Sequence, residues 1–145
     1  MPDRDAGPKG CTCFRLRRTA RRMTQIYDAH LAPAGLTLTQ YSLLANLMRQ
    51  EPPTVQGLAV VMGMDHTTVT RNLRPLIRRG LLSLQPGVDR RTKSIHLTGS
   101  GATEWSRAKD LWRAAQDDIE ARLGKSAVAW LHEMLDTSYE QLADR

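Results

Sequence analysis

Along most of this chain apolar residues recur every three or four positions, and over one short stretch they alternate instead. Cys13, Leu16, Ala20, Met23, Tyr27 and Leu31 trace the first stripe, with Arg15, Arg18, Arg21 and Arg22 falling largely between them. That pattern predicts an amphipathic helix from about 11 to 32, stopped by Pro33 and Gly35. Thr37 or Thr39 can cap a second helix, QYSLLANLMR, which ends before Glu51-Pro52-Pro53. Thr54 caps a short third helix, VQGLAVVM; Gly63 breaks it; Asp65 caps a fourth, HTTVTRNLRPLIRR, which ends at Gly80. LLSLQ (81–85) and TKSIHLT (92–98) alternate, and the turn-rich PGVDRR between them predicts a β-hairpin. Thr98 opens a long fifth helix to about Leu123, striped by Ala102, Trp105, Ala108, Trp112, Ala115, Ile119 and Leu123. After Gly124 a last helix from about Ser126 carries Val128, Leu131, Leu135 and Leu142. The fold class is mainly α with a small β-hairpin, and residues 1–10, rich in Pro, Gly and charge, read as a disordered tail.

The third and fourth helices, joined by Met62-Gly63-Met64, read as a helix-turn-helix. Glycine suits the backbone of so tight a turn, and Leu58, Val61, Val69, Leu73 and Leu76 are expected to pack the pair together. His66, Thr67, Thr68, Thr70, Arg71 and Arg74 then face outward from the first turns of the second helix of the pair. Short polar and basic side chains there can reach base edges and phosphates in a major groove, where the helix dipole also favours phosphate. The hairpin that follows carries Arg90, Arg91 and Lys93 at and beside its tip, which makes it a wing; arginine in a narrow minor groove reads DNA shape. Asp89 is expected to brace Arg91 or Arg71 through a bidentate pair. Pro75 removes one helical bond and predicts a slight bend past the base-contacting turns.

Charge supports an acidic partner. The net charge is +6, with residues 66–95 carrying seven basic side chains against one acid, and 101–145 six against nine. The two strands contain no stacking aromatics, which favours duplex DNA over RNA. The first helix could lie on anionic lipid, a remote alternative, but its stripe is short of large residues and the basic hairpin would gain nothing from a membrane. No apolar run reaches the ~18 residues of a span, and MPDRDAGPKG lacks a signal peptide's hydrophobic stretch, so a cytoplasmic location is expected. There is no glycine-rich phosphate loop, nucleophile elbow or HExxH pair, so neither an enzyme nor a cofactor is expected.

The segments LTLTQYSLLANL (36–47), TVQGLAVVMGMDHTTVTRNLRPLIRRGLL (54–82) and the wing signature DRRTKSIHLTGSG (89–101) resemble the MarR (multiple antibiotic resistance regulator) family of winged helix-turn-helix repressors. The resemblance runs from about residue 11 to 142. It implies a winged helix-turn-helix domain over 36–99 and a helical dimerisation region from 11–35 and 100–145. It further implies a homodimer on a pseudo-palindromic double-stranded operator, controlled by a small molecule or an oxidant. Trp105, Trp112 and Trp130 support the dimer, since they lie on helices with no obvious core left to cover.

Cys11-Thr-Cys13 leaves three readings open. Metal chelation is disfavoured by i, i+2 spacing on a helix and the lack of a nearby His or second Cys pair. A redox trigger draws on similarity to the organic-hydroperoxide-sensing branch of the family, with Cys13 as the thiolate, Cys11 beside it and Tyr27 as its support. Arg17 and Leu38 stand where that branch has further tyrosines. Fourteen residues of helix span about 21 Å, so Cys13 could meet Tyr27 only across a dimer. The third reading is a buried structural cysteine. For a small ligand such as an aromatic acid, the candidate pocket residues are Arg18, Tyr41, Met48 and Trp105, with Arg18 or His30 suited to the anion.

Overall fold

A computed structural model describes residues 7–49, 53–89 and 91–143. The helices are α1 (Thr12–Leu31), α2 (Leu38–Leu47), α3 (Val55–Met62), α4 (His66–Arg78), α5 (Gly99–Leu123) and α6 (Lys125–Gln141); β1 (Leu82–Pro86) and β2 (Lys93–Leu97) form one antiparallel hairpin between α4 and α5. A short 3-10 turn, Ala32–Ala34, follows α1 where Pro33 denies it a backbone donor. Of the two predicted caps for α2, Thr37 serves: its hydroxyl accepts the Gln40 N–H while the Gln40 side chain accepts the Thr37 N–H.

The chain divides into two compact units. One runs from Tyr27 to Trp112, wider than the 36–99 expected for the winged segment. Leu31, Leu43, Leu44, Leu58, Val69, Leu73, Leu76 and Ile95 are fully buried at its centre. In α3, Val55, Leu58, Ala59 and Met62 form the inward stripe, and Val60 and Val61 fall outside it. The expected packing role of Val61 is therefore corrected: it is 68% exposed, because helical periodicity gives that face to Leu58 and Met62. The hairpin registers Leu82 against Leu97 and Pro86 against Lys93, which turns Ile95 and Leu82 into the core. It is also tied to the start of α3 by a bridge between Thr54 and Ser94 and by the Ile95 N–H donating to the Pro53 carbonyl at 2.9 Å.

Aromatic stacking extends this unit to its ends. Tyr27 stacks on Trp112 at 6.5 Å, Trp112 on Tyr41 at 5.9 Å, and Tyr41 on Trp105 at 6.2 Å between ring centroids. Trp105 and Trp112 thus find cover within their own chain, contrary to the sequence expectation, because α2 offers them the Tyr41 ring.

The other unit comprises the described residues of Met1–Ile26 and of Arg113–Arg145. Ala115, Ile119 and Val128 are buried in it. Phe14, Leu16, Leu123, Trp130, Met134, Leu135, Tyr139 and Leu142 are exposed; of the stripe expected on the last helix, Val128 is buried and Leu131 half-buried, while Leu135 and Leu142 have no cover within one chain. No helix among the described residues is long and apolar enough to cross a membrane.

Candidate nucleic-acid interface

The reading face is set by local chemistry at the start of α4. Gly63 takes a left-handed conformation (φ 62°) that a side chain would resist, and this reverses the chain within three residues. Asp65 then caps α4 by accepting the Thr68 N–H at 2.7 Å. This hydrogen bond to Thr68 is the main reason the Asp65 carboxyl lies below its ordinary value of 3.8, with the positive charge of Arg71 adding to it. The carboxylate is therefore ionised and occupied by its own helix at neutral pH.

His66, Thr67, Thr70, Arg71 and Arg74 line one shallow cavity of about 300 Å³ along α4. Thr68 does not share it; its N–H is held by Asp65 and its carbonyl by the Asn72 amide at 2.9 Å. A second cavity of about 380 Å³ lies between the starts of α3 and α4 and the wing, lined among others by Gln56, His66, Thr70, Arg91, Thr92 and Lys93. The two cavities share His66 and Thr70, so α4 and the wing present one continuous concavity. Gln56 and Thr92 were not expected here. The α3 cap at Thr54 was legible, but its bridge to Ser94, which brings Gln56 beside the wing, joins residues far apart in sequence.

Four arginines in or after α4 have separate fates. Arg71 and Arg74 project from the reading face. Arg79 turns away and donates to the Gly35 carbonyl at 2.8 Å, fastening the end of α4 to the loop before α2. Arg78 is exposed in the last turn. The helix continues through Pro75 to Arg78, with the Arg79 N–H donating to the Pro75 carbonyl at 3.1 Å. Among the described residues, none of Arg71, Arg74, Arg91 and Lys93 is held in an ion pair.

The wing tip is closed by its own backbone. Gly87 N–H donates to the Thr92 carbonyl at 2.8 Å, and Thr92 N–H to the Asp89 carbonyl at 2.9 Å. A side chain at Gly87 would collide with Thr92. Asp89 accepts the Arg91 N–H at 3.2 Å, so it braces the main chain of the turn; the bidentate pair expected with the Arg91 or Arg71 guanidinium is not among the ion pairs of the described residues. The reason is reach: the nearest donor to an aspartate in this turn is the amide two residues on. Arg90 lies outside the described residues.

The expected trigger residues are scattered. Cys11 and Cys13 are both exposed, so the buried structural reading does not hold within one chain; the Cys11 sulfur accepts the Phe14 N–H at 3.4 Å. Tyr27 sits in the aromatic stack of the other unit. Of the ligand-pocket candidates, Tyr41 and Trp105 are brought together, and Trp105 Nε1 is buried without a hydrogen-bond partner among the described residues. Met48 is exposed at the end of α2. Arg18 holds its guanidinium 5.5 Å from the Phe14 ring centre and lines a cavity of about 340 Å³ with Thr19 and Arg22. Among the described residues no group of three or more His, Cys, Asp or Glu could hold a metal ion.

A sequence model of the MarR family matches residues 34–92. An organic hydroperoxide resistance transcriptional regulator of Bacillus subtilis (strain 168) is 31% identical over 100 residues, 68% of each chain. The crystal structure of the M. tuberculosis transcriptional regulator MosR in complex with DNA is 38% identical, with TM-score 0.79 over 90% of this chain and 97% of that one. The transcriptional repressor CouR, from Rhodococcus jostii RHA1, bound to a 23-mer DNA duplex, is 25% identical, with TM-score 0.82 over 96% of this chain and 99% of that one.

Proposed function

This chain belongs to the MarR family of transcription regulators, and on that footing we propose that it acts as a homodimeric repressor on a pseudo-palindromic operator in the cytoplasm. It is a DNA-binding regulator and not an enzyme. Each subunit places α4 in a major groove and its wing in the adjacent minor groove, with half-sites about one helical turn apart. The observation that carries this reading is the continuous concavity shared by α4 and the wing, with His66 and Thr70 at its junction and Arg71, Arg74, Arg91 and Lys93 around it. Thr67 completes the α4 side. A gel-shift titration in rising salt tests it. Arg91→Ala is expected to weaken operator binding and to lower the slope of log affinity against log salt by about 0.9 per subunit, one phosphate contact in each half-site. Unchanged affinity and slope would remove the wing from the interface.

Release follows a small ligand, such as an aromatic acid, or oxidation of a thiol. The ligand arm is supported by the Tyr41–Trp105 stack and the unsatisfied indole N–H beside it. The oxidative arm is supported by the exposure of Cys13 and Cys11 and by the likeness to the hydroperoxide resistance regulator. Treatment with an organic hydroperoxide separates the two. Loss of operator affinity together with loss of Cys13 alkylation assigns the oxidative trigger; no change in either assigns the ligand.

A further inference from the structure

The geometry points to Thr70 as the residue that reads a thymine methyl group within the operator half-site, an assignment that rests on the proposed duplex-reading function. Thr70 is half-buried and lines both cavities of the interface, so it stands at the middle of the reading surface. Its hydroxyl is already engaged: Oγ1 donates to the His66 carbonyl one turn back at 2.9 Å, and Nδ1 of the His66 ring stands 3.5 Å from the same oxygen.

A hydroxyl has one proton to give. With that proton committed to the helix, Thr70 cannot donate to the acceptors that guanine, adenine and thymine show in the major groove. What it can still offer is an oxygen lone pair, toward the amines of adenine and cytosine, and the γ-methyl; with the His66 ring nitrogen 3.5 Å from that oxygen, the methyl is the group assigned to the base. The complementary apolar feature on a base pair in that groove is the C5-methyl of thymine. Thr67, by comparison, lines only the α4 cavity, and no hydrogen bond among the described residues engages its hydroxyl, so the same reasoning does not select it. Arg71, one residue on from Thr70, presents a guanidinium of the kind that pairs with guanine, and the two together would make the half-site mixed in composition.

The test uses the full chain and a duplex that it selects from a random pool. In that duplex each thymine is replaced singly by deoxyuridine, which deletes only the methyl. Affinity is then measured for the wild-type chain, Thr70→Ser and Thr70→Val. Burial of one methyl is worth about fourfold in affinity per half-site. One thymine in each half-site is expected to show that loss in the wild type. Thr70→Ser, which keeps the hydroxyl and lacks the methyl in both subunits, is expected to bind the unmodified duplex about sixteenfold more weakly, about fourfold for each half-site, and to ignore deoxyuridine at that position. Thr70→Val, which keeps the methyl and lacks the hydroxyl, is expected to behave as the wild type. Because the readout is a ratio between two duplexes for the same variant, partial unfolding of a variant does not imitate it. Strong binding by Thr70→Ser with weak binding by Thr70→Val would mean that the hydroxyl reads the base. A selected site indifferent to every thymine methyl, or a deoxyuridine penalty that persists in Thr70→Ser, would also overturn the assignment while leaving the duplex-reading function intact. A wild-type chain that selects no duplex would overturn both.

Discussion

Asp65 shows how much one residue contributes to placing the interface. It caps α4, it is held below the ordinary carboxylate value by the Thr68 hydrogen bond, and it begins the segment that carries His66, Thr67, Thr70 and Arg71. A carboxyl whose folded-state pKa is lowered contributes stability that is present above its ordinary value of 3.8 and is lost as pH falls through the depressed one. Melting temperature followed from pH 6 to pH 3 is therefore expected to fall more steeply for the wild type than for Asp65→Asn, which keeps a capping oxygen but has no charge to lose. Parallel curves would mean that the carboxylate's charge contributes nothing to the cap. Caps of this kind were legible in sequence because they depend on neighbours three residues away. Exposure of Val61 was not legible, because only the assembled core decides which positions of α3 its stripe includes; Cys13 lies on its stripe, but residues 11–20 are all exposed in a single chain.

At the scale of elements, the end of α4, the hairpin and the start of α5 meet in one knot. The Thr98 hydroxyl donates to the Gly80 carbonyl at 2.6 Å and accepts the Gly101 N–H at 3.0 Å, while the Thr98 N–H donates to the Leu81 carbonyl at 3.1 Å. Gly101 packs so closely that a Cβ there would collide with the Leu81 carbonyl and the Leu97 side chain. Gly101→Ala is therefore expected to destabilise the chain by about 1–3 kcal/mol, the usual cost of overpacking, measured as a shift of the urea midpoint. A midpoint unchanged from the wild type would show that α5 can move aside freely. The helix and hairpin order was legible here from periodicity, and Thr98 announced the start of α5. The need for glycine at 101 was not, since it arises from the approach of residues 20 positions apart.

At the scale of the whole molecule, a single chain leaves Trp130, Met134, Leu135 and Tyr139 of α6, and Leu142 just after it, in contact with water. A run of that size calls for a partner surface, and the proposed homodimer would supply one from a second copy of the chain. The sequence argued for a dimer from three tryptophans; in the structure Tyr27 and Tyr41 cover Trp112 and Trp105, so that proposal now rests on Trp130 and its neighbours. Two-fold symmetry in the protein has to appear as two-fold symmetry in its site. Selection of bound duplexes from a random pool reads this directly. The expected result is an inverted repeat whose half-site centres lie about 10 base pairs apart. Enrichment of a single unrepeated half-site, or no enrichment at all, would contradict the account of a dimer that reads duplex DNA with α4 and the wing.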